Sequence, residues 1–390
     1  MYNRESLHPG RVKMIPVAGQ ENVYDMTMAD DPTQEGDPPT KQNLLQDITC
    51  DVLQISRTSV VNDALLSLGI GLDCYGFLIT VTDPAGVPVP GAVITGIDPV
   101  VGDTLETGTD GAAVGVSSTS AVTLTIQSPY LDLQSVTELE VSSDQKLHPV
   151  SVQLPYVDPY VLVESSGEYV LSPSVTSFDV TAVGGGGGGV GQSSATNDIL
   201  YGGGGGGGYV VSELAVSVSD NRKINITVGA GGAAYNTYPT TYNPNGPYPA
   251  GDGGTTSVSL DNNLICSADG GTGSVGYTDY RLVTGGNGNG NGGGLRVNGA
   301  DGSKYVFNDE SLGLAGGGGG NGYNTTKQTG GAPFGASGGR FDTSSREEFH
   351  AGEARGPGGG GGGGGGYASY VGASQGSSGH AGAVYLRFYR

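Results

Sequence analysis

Between Tyr201 and Tyr209 the chain reads seven consecutive glycines, Gly202–Gly208. Gly184–Gly189 precedes this run, and glycine-rich stretches recur at 229–232, 251–254, 270–276, 285–294, 316–322, 330–339, 356–366 and 372–382. Glycine loses more conformational freedom on folding than any other residue. A chain with 75 glycines in 390 residues therefore either leaves them as coil or gains something from the missing side chain. The runs are similar in length, are separated by connectors of similar size, and alternate with strand-like pieces ending in Val or Leu. Such repetition points to stacked extended segments. Glycine can adopt a polyproline-II-like helix with three residues per turn and ~3.1 Å rise, so that seven residues span roughly 20 Å. Only glycine lets such helices touch and exchange N–H···O=C bonds. Backbone hydrogen bonding then takes the place of a hydrophobic core, in keeping with a hydrophobic content of 36%.

Three segments of different character precede or carry these runs. Residues 1–72 are polar and interrupted by proline. Arg11–Val17 alternates as one strand, and Asp30–Pro39 has the composition of a loop. Thr40 is placed to cap a helix in which Leu44, Leu45, Ile48 and Leu53 share a face, and a second short helix is expected at Ser59–Leu68, stopped by Gly69. Residues 75–155 carry short strands at regular spacing: Phe77–Thr82, a proline-bearing Pro88–Thr95 expected at an edge, then Val122–Gln127, Thr137–Val141 and Val150–Leu154. Thr109–Gly111 reads as a hairpin turn. In 156–390, strands are expected at Tyr160–Val163, Glu168–Leu171, Ser177–Val183, Tyr209–Ser212, Lys223–Val228 and Ala383–Phe388, with the last returning beside Ser177–Val183. Gly184–Gly189 and Gly202–Gly208 then read as insertions at strand ends, and as the less tightly packed pair. The fold class is mainly β: a short helical N-terminal segment, a β-sandwich, then a small sheet domain with polyglycine-II-like insertions.

The formal charge is −21, with 20 acidic and 6 basic residues in 1–155 against 18 and 11 in 156–390. No block is basic, which argues against nucleic acid as a partner. The N-terminus lacks the apolar core of a secretory signal, and no apolar stretch is long enough for membrane insertion. Cys50, Cys74 and Cys266 have no metal-ligand spacing and read as thiols.

Chemistry-bearing patterns are sparse. His8, His148, His350 and His380 are scattered. Glu347, Glu348 and His350 form one acidic–histidine cluster in a polar loop, which more often is solvated charge than a metal site. Matches to GxGxxG follow no βαβ pattern, and no glycine run continues into the Lys-Ser/Thr of a P-loop. Asp252, Asp269, Asp279 and Asp301 lie among glycines without the dense oxygen spacing of a calcium loop. Neither a cofactor nor catalysis is expected. Function is placed on the connectors. The richest is Tyr235–Tyr248, with Tyr235, Asn236, Tyr238, Tyr242, Asn243 and Tyr248, because Tyr and Asn offer apolar area and hydrogen bonds at low entropy cost. Tyr277, Tyr280 and Tyr323 follow, then Tyr305, Phe307, Phe334, Tyr367 and Tyr370. The bland alternative for each is a ring lying on a glycine face.

Two resemblances bear on this reading. The run VTDPAGVPVPGAVITG…TGTDGAAVGV resembles carboxypeptidase-regulatory or bacterial Ig-like modules, which are mostly spacers. The segments SGEYVLSPSVTSFDVTAVGGGGGG, ITVGAGG, GGTTSVSL and GHAGAVYLRFYR resemble the glycine-rich domains of phage tail fibres. The opening HPGRVKMIPVAGQENVYDMTMADDPTQEGDPPTKQNLL is similar to N-terminal segments of phage tail proteins. In tail-tip adhesins of T-even-like phages a comparable domain packs polyglycine helices, and loops between the runs contact a receptor. The resemblance implies a virion tail protein, made in the host cytoplasm, that attaches to other tail proteins through 1–72 as a homotrimer. Its partner would be a host surface glycan or outer-surface protein. A structural baseplate or head-fibre component is the rival expectation, and a depolymerase a third, disfavoured because no paired carboxylates stand out. This chain departs from that family in carrying the extra Ig-like module and its own attachment segment.

Overall fold

In the computed structural model, the described residues are 74–390 apart from 101–102, 143–145, 159, 196–197, 201, 219–221, 237–246, 278–283, 289–303, 308–309, 314–327, 333, 338–339, 343–346, 350 and 363–372. Before residue 74 only four short strands are described. The described residues are strands, turns and extended glycine segments, with no α-helix among them. Val12–Pro16 pairs with Tyr24–Met28, where one strand was expected. Pro32–Gln34, expected in a loop, instead pairs with Glu5–Ser6. The helices expected over 40–54 and 59–68 lie outside the described residues.

The chain divides into two units: Met1–Pro129 with Ser135–Leu154, and Tyr130–Gln134 with Pro155–Arg390. In the first, alternation places Phe77, Ile79 and Val81 inward from Tyr75–Thr82, and Val122, Leu124 and Ile126 inward from Ala121–Gln127. Tyr75–Thr82 pairs in parallel with Leu147–Gln153 and antiparallel with Ala112–Ser117, whose other neighbour is Asp98–Pro99. A second sheet runs Val136–Ser142, Ala121–Gln127, Val93–Thr95, Leu105–Glu106. The proline-bearing strand is therefore not an edge. Val93–Thr95, beyond the prolines, has a neighbour on each side, while the proline-bearing part makes only a single bridge, Pro88 to Thr82. The turn at Thr109–Gly111 is present, with Gly111 at φ 74°. It is not a hairpin, because Leu105–Glu106 and Ala112–Ser117 belong to different sheets.

The second unit begins as two four-stranded sheets. One runs Val161–Val163, Ala383–Tyr389, Ser177–Val183, Val210–Ser217, and the other runs Gly167–Val170, Lys223–Thr227, Thr256–Leu260, Asn263–Ala268. Ala383–Tyr389 does return beside Ser177–Val183, with Val183 opposite Ala383. Phe178, Val180, Val384 and Leu386 of one sheet and Ile224, Ile226, Val258 and Cys266 of the other make one buried core. Tyr130–Gln134 is tied to this unit by Asp132, a fully buried carboxylate. It accepts the Ser172 N–H at 2.8 Å and hydroxyl at 2.7 Å, with Arg390 at 3.7 Å.

Six of these strands continue without a break into glycine-rich segments, and there the period changes from two to three. Gly184, Gly187 and Val190 donate to Tyr209, Gly206 and Gly203; Gly185 and Gly188 donate to Gly254 and Gly251; Gly186 and Gly189 donate to His380 and Ser377. In return Gly271 and Ser274 donate to Gly185 and Gly188, Gly232 and Tyr235 to Gly186 and Gly189, and Gly361 to Gly187. Every third residue faces the same neighbour, the signature of a threefold extended helix. Segment 184–190 is thus enclosed by six others. In order round the ring they are 202–209, 270–274, 250–254, 229–235, 376–382 and 358–362. Each is bonded to the next, through pairs such as Gly206 to Thr272, Gly253 to Gly271, Gly254 to Ala230, Gly379 to Gly232, His380 to Gly359 and Gly205 to Gly361. The ring alternates in direction, with the three antiparallel members accepting from the centre and the three parallel members donating to it.

Expecting Gly184–Gly189 to be loosely packed was wrong. Residues 181–190 are all buried, as are 202–208. A Cβ on any residue from Gly184 to Gly189 would collide with a backbone carbonyl of a parallel neighbour: Asp269, Ala230, Gly359, Thr272, Ala233 and Gly362 in turn. The requirement for glycine is one of room, not of conformation, since among the described glycines of the bundle only Gly358 has positive φ.

Candidate functional site

Ser177–Val183 leads straight into Gly184, so Val190 marks the end of the bundle farthest from the two sheets. At that distal end the chain passes from one bundle segment to the next five times, across 191–202, 236–249, 276–283, 338–350 and 363–375. The flanking bonds fix each exit against its return: Val190 to Gly203, Gly251 to Ala233, Val275 with Thr284, Gly352 to Ser337 and Ser377 to Gly362. Short ladders run within and between these stretches. Gln192–Ala195 pairs with Asp198–Leu200 and with Ala373–Ser374, and Tyr248–Pro249 pairs with Val275–Gly276.

The leading connector lies at this end. Tyr235 pairs with Val190, and its ring sits 5.9 Å from that of Tyr248. Val190, Tyr248 and Ala250 are buried together with Tyr235 half-buried against them. Burial, then the neighbouring Tyr248, raises the Tyr235 hydroxyl above its ordinary pKa. Tyr248 therefore closes the end of the central segment, while Tyr235 and Asn236 keep an open side. The Asn236 amide mimics a backbone pair: its Nδ2 donates to the Gly376 carbonyl at 3.1 Å, and its Oδ1 accepts the Gly376 N–H at 2.8 Å. Tyr277 follows the Tyr248 ladder directly and is half-buried. Tyr238, Tyr242, Asn243, Tyr280 and Tyr323 lie outside the described residues. Phe334 takes the bland role, its ring lying against Gly356.

The aspartates among the glycines have local work. Asp252 accepts the Gly273 N–H at 2.8 Å, and Asp269 accepts the Thr255 hydroxyl at 3.3 Å. Asp279 and Asp301 lie outside the described residues, as does His350. His148 packs edge-on against Phe77, with ring centroids 6.2 Å apart. Cys74 and Cys266 are free thiols.

The sequence reading missed the grouping of excursions 191–202, 338–350 and 363–375 with the tyrosine connector. The signal was available: segments that alternate in direction must send every second connector to the same end. It also missed a groove of about 480 Å³ on the flank of the bundle, between Ala234, Asn236, Ala351, Glu353 and Gln375–His380.

The glycine-rich domain family matches residues 164–389, and the chain belongs to that family. No curated protein matches the chain.

Proposed function

We propose that this protein is a phage tail-fibre or tail-tip adhesin that binds a host-surface receptor through the distal excursions, by non-covalent contact and not by catalysis. One observation carries the reading: five connections cross at one end of a bundle whose central run, Gly184–Gly189, has no room for a side chain. That arrangement separates a rigid, sequence-restricted stem from a sequence-tolerant tip, as recognition surfaces on scaffolds require. Tyr235, Asn236 and Tyr277 stand at the tip's base, and the other connector residues, Tyr238, Tyr242, Asn243 and Tyr280, belong to the excursions themselves. Tyr323 belongs to a different connector. Residues 75–155 serve as an Ig-like spacer and 1–72 as the attachment to other tail proteins. Trimeric display turns weak single contacts into stable attachment.

The test is adsorption competition. The purified full-length chain should bind host cells and block virus adsorption in a saturable way, and replacing Tyr235, Tyr238 and Tyr242 with Ala should remove the block in a protein that still unfolds cooperatively. Incorporation into particles without cell binding would establish a structural baseplate or head-fibre role instead.

A further inference from the structure

The groove beside the tip is built, not incidental. Its floor is segment 376–380, where Gly376 and Gly379 leave the backbone bare, and its volume lies within the range of small-ligand sites. Both walls are bonded to that floor. On one side the Asn236 amide grips Gly376, and the Ala234 N–H donates to the Ser378 hydroxyl at 3.2 Å. On the other, Ala351 donates to the Gln375 carbonyl at 3.0 Å, and the Ser377 hydroxyl donates to the Gly352 carbonyl at 2.7 Å. The same Ser377 oxygen accepts the Gly362 N–H at 2.8 Å. The Asn236 amide and the Ser377 hydroxyl are therefore committed to holding the groove's shape.

What remains to meet a ligand is rich in acceptors. Glu353 is exposed and makes no ion pair among the described residues. His380 is fixed through its backbone, donating to Gly359 and accepting from Gly186, and its Nδ1 lies 3.0 Å from the Ala381 carbonyl. A carbonyl only accepts, so Nδ1 carries a hydrogen, and in the Nδ1–H tautomer Nε2 is the acceptor. Ser378 accepts from Ala234 and keeps its own O–H to donate. No basic side chain other than the histidine lines the groove. A carboxylate and an imidazole acceptor on a small-residue floor match a ligand with several hydroxyl donors and a cation.

We infer that this groove binds a short oligosaccharide bearing a free amino group, with Glu353 taking the ammonium and His380 Nε2 a hydroxyl. The binding itself stands apart from the adhesin reading; only the idea that the sugar comes from a host surface rests on it.

The experiment is a titration of the full-length chain, followed by calorimetry, with the β-1,4-linked glucosamine trimer, its N-acetylated counterpart and the neutral glucose trimer. The glucosamine trimer should bind at least about tenfold more tightly than either, as expected for one charge-assisted contact. Glu353→Gln should abolish the preference with unfolding unchanged, and His380→Gln should weaken binding of the amino sugar. Equal binding of all three sugars, or none by a chain that unfolds normally, overturns the inference. If adsorption is still blocked by a Glu353→Gln chain that no longer binds the amino sugar, the adhesin reading survives and this groove is not its contact.

Discussion

Replacing Gly187 with alanine tests the claim that the bundle is held by backbone contact. Gly187 is at the middle of the central segment, with its N–H 2.8 Å from the Gly206 carbonyl and its carbonyl 2.8 Å from the Gly361 N–H. A Cβ would collide with the Thr272 carbonyl and lie 2.8 Å from the Gly273 nitrogen. Both are main chain, so neither can turn aside as a side chain would. Segment 270–274 must move outward, and three bonds then lengthen: Gly271 to Gly185 at 2.8 Å, Ser274 to Gly188 at 3.0 Å and Gly206 to Thr272 at 3.0 Å. At about 0.5–1.5 kcal/mol net per bond the loss is about 1.5–4.5 kcal/mol. N–H groups left unpaired in the buried interior add to it. The entropic benefit of alanine over glycine in the unfolded chain returns only about 0.4–1 kcal/mol. We expect a net loss of about 3–5 kcal/mol. For a domain of this size that corresponds to a fall of about 6–20 °C in the melting temperature. Gly167→Ala is the control, because a Cβ there meets only the Tyr169 ring at an ordinary 3.4 Å, and its melting temperature should shift by no more than about 2 °C. Calorimetric melting of both variants decides the matter. A Gly187→Ala protein that melts with the wild type would refute the packing argument.

Two further perturbations address the sheets. Asp132→Ala strands the buried Ser172 N–H and hydroxyl and removes the carboxylate beside Arg390, and should destabilise the second unit by about 3–5 kcal/mol in urea unfolding; a loss below about 1 kcal/mol would show that the network is solvated. Alkaline stability follows from two buried acids: burial, then Glu213, pushes the Cys266 thiol from 9.0 up to about 11, and burial, then Tyr160 and Glu164, pushes Tyr385 from 10.0 up to about 12. The folded protein keeps these protons after the unfolded chain has released them, so stability is full below pH 9, falls between 9 and about 11 through Cys266 and between 10 and about 12 through Tyr385, each by about 3 kcal/mol. Urea midpoints of Cys266→Ala and Tyr385→Phe should each lack the corresponding part of that decline, and a pH-independent midpoint from 8 to about 11 in the wild type would contradict it.

The strands of the second unit were legible because their alternation is plain: Ser177–Val183 and Ala383–Phe388 read as partners from sequence alone. The threefold helix was legible from the length of the glycine runs. The centre of the bundle was not, although its rule can now be stated. A segment enclosed on all sides must be unbroken glycine, as Gly184–Gly189 is. A ring segment has an outward face and can carry side chains there, as Ala230 and Ala233 do, or Asp269 and Thr272, each pair three residues apart. Gly202–Gly208 obscures the rule: it belongs to the ring yet is unbroken, because segment 284–288 covers it through the bond from Gly286 to Gly204. The tyrosine connector was found for its composition, but Tyr248 is buried and Asn236 is committed to Gly376. Those roles depend on pairing between separate segments, Tyr248 with Gly276 and Asn236 with Gly376, which one sequence does not display. The groove was invisible for the same reason, since its floor and two walls come from three separate stretches.

A bundle that buries peptide groups in place of hydrocarbon also answers temperature differently from the sheets beside it. Exposing apolar surface on unfolding raises the heat capacity by about 0.45 cal/K/mol per Å², whereas exposing polar surface lowers it by about 0.26. The core around Phe178 and Leu386 contributes the first term, and the segments around Gly184–Gly189 contribute mainly the second. The two oppose each other within one cooperative unit, flattening its stability curve. Cooling weakens the hydrophobic half, a loss that the peptide-bonded half does not share to the same degree.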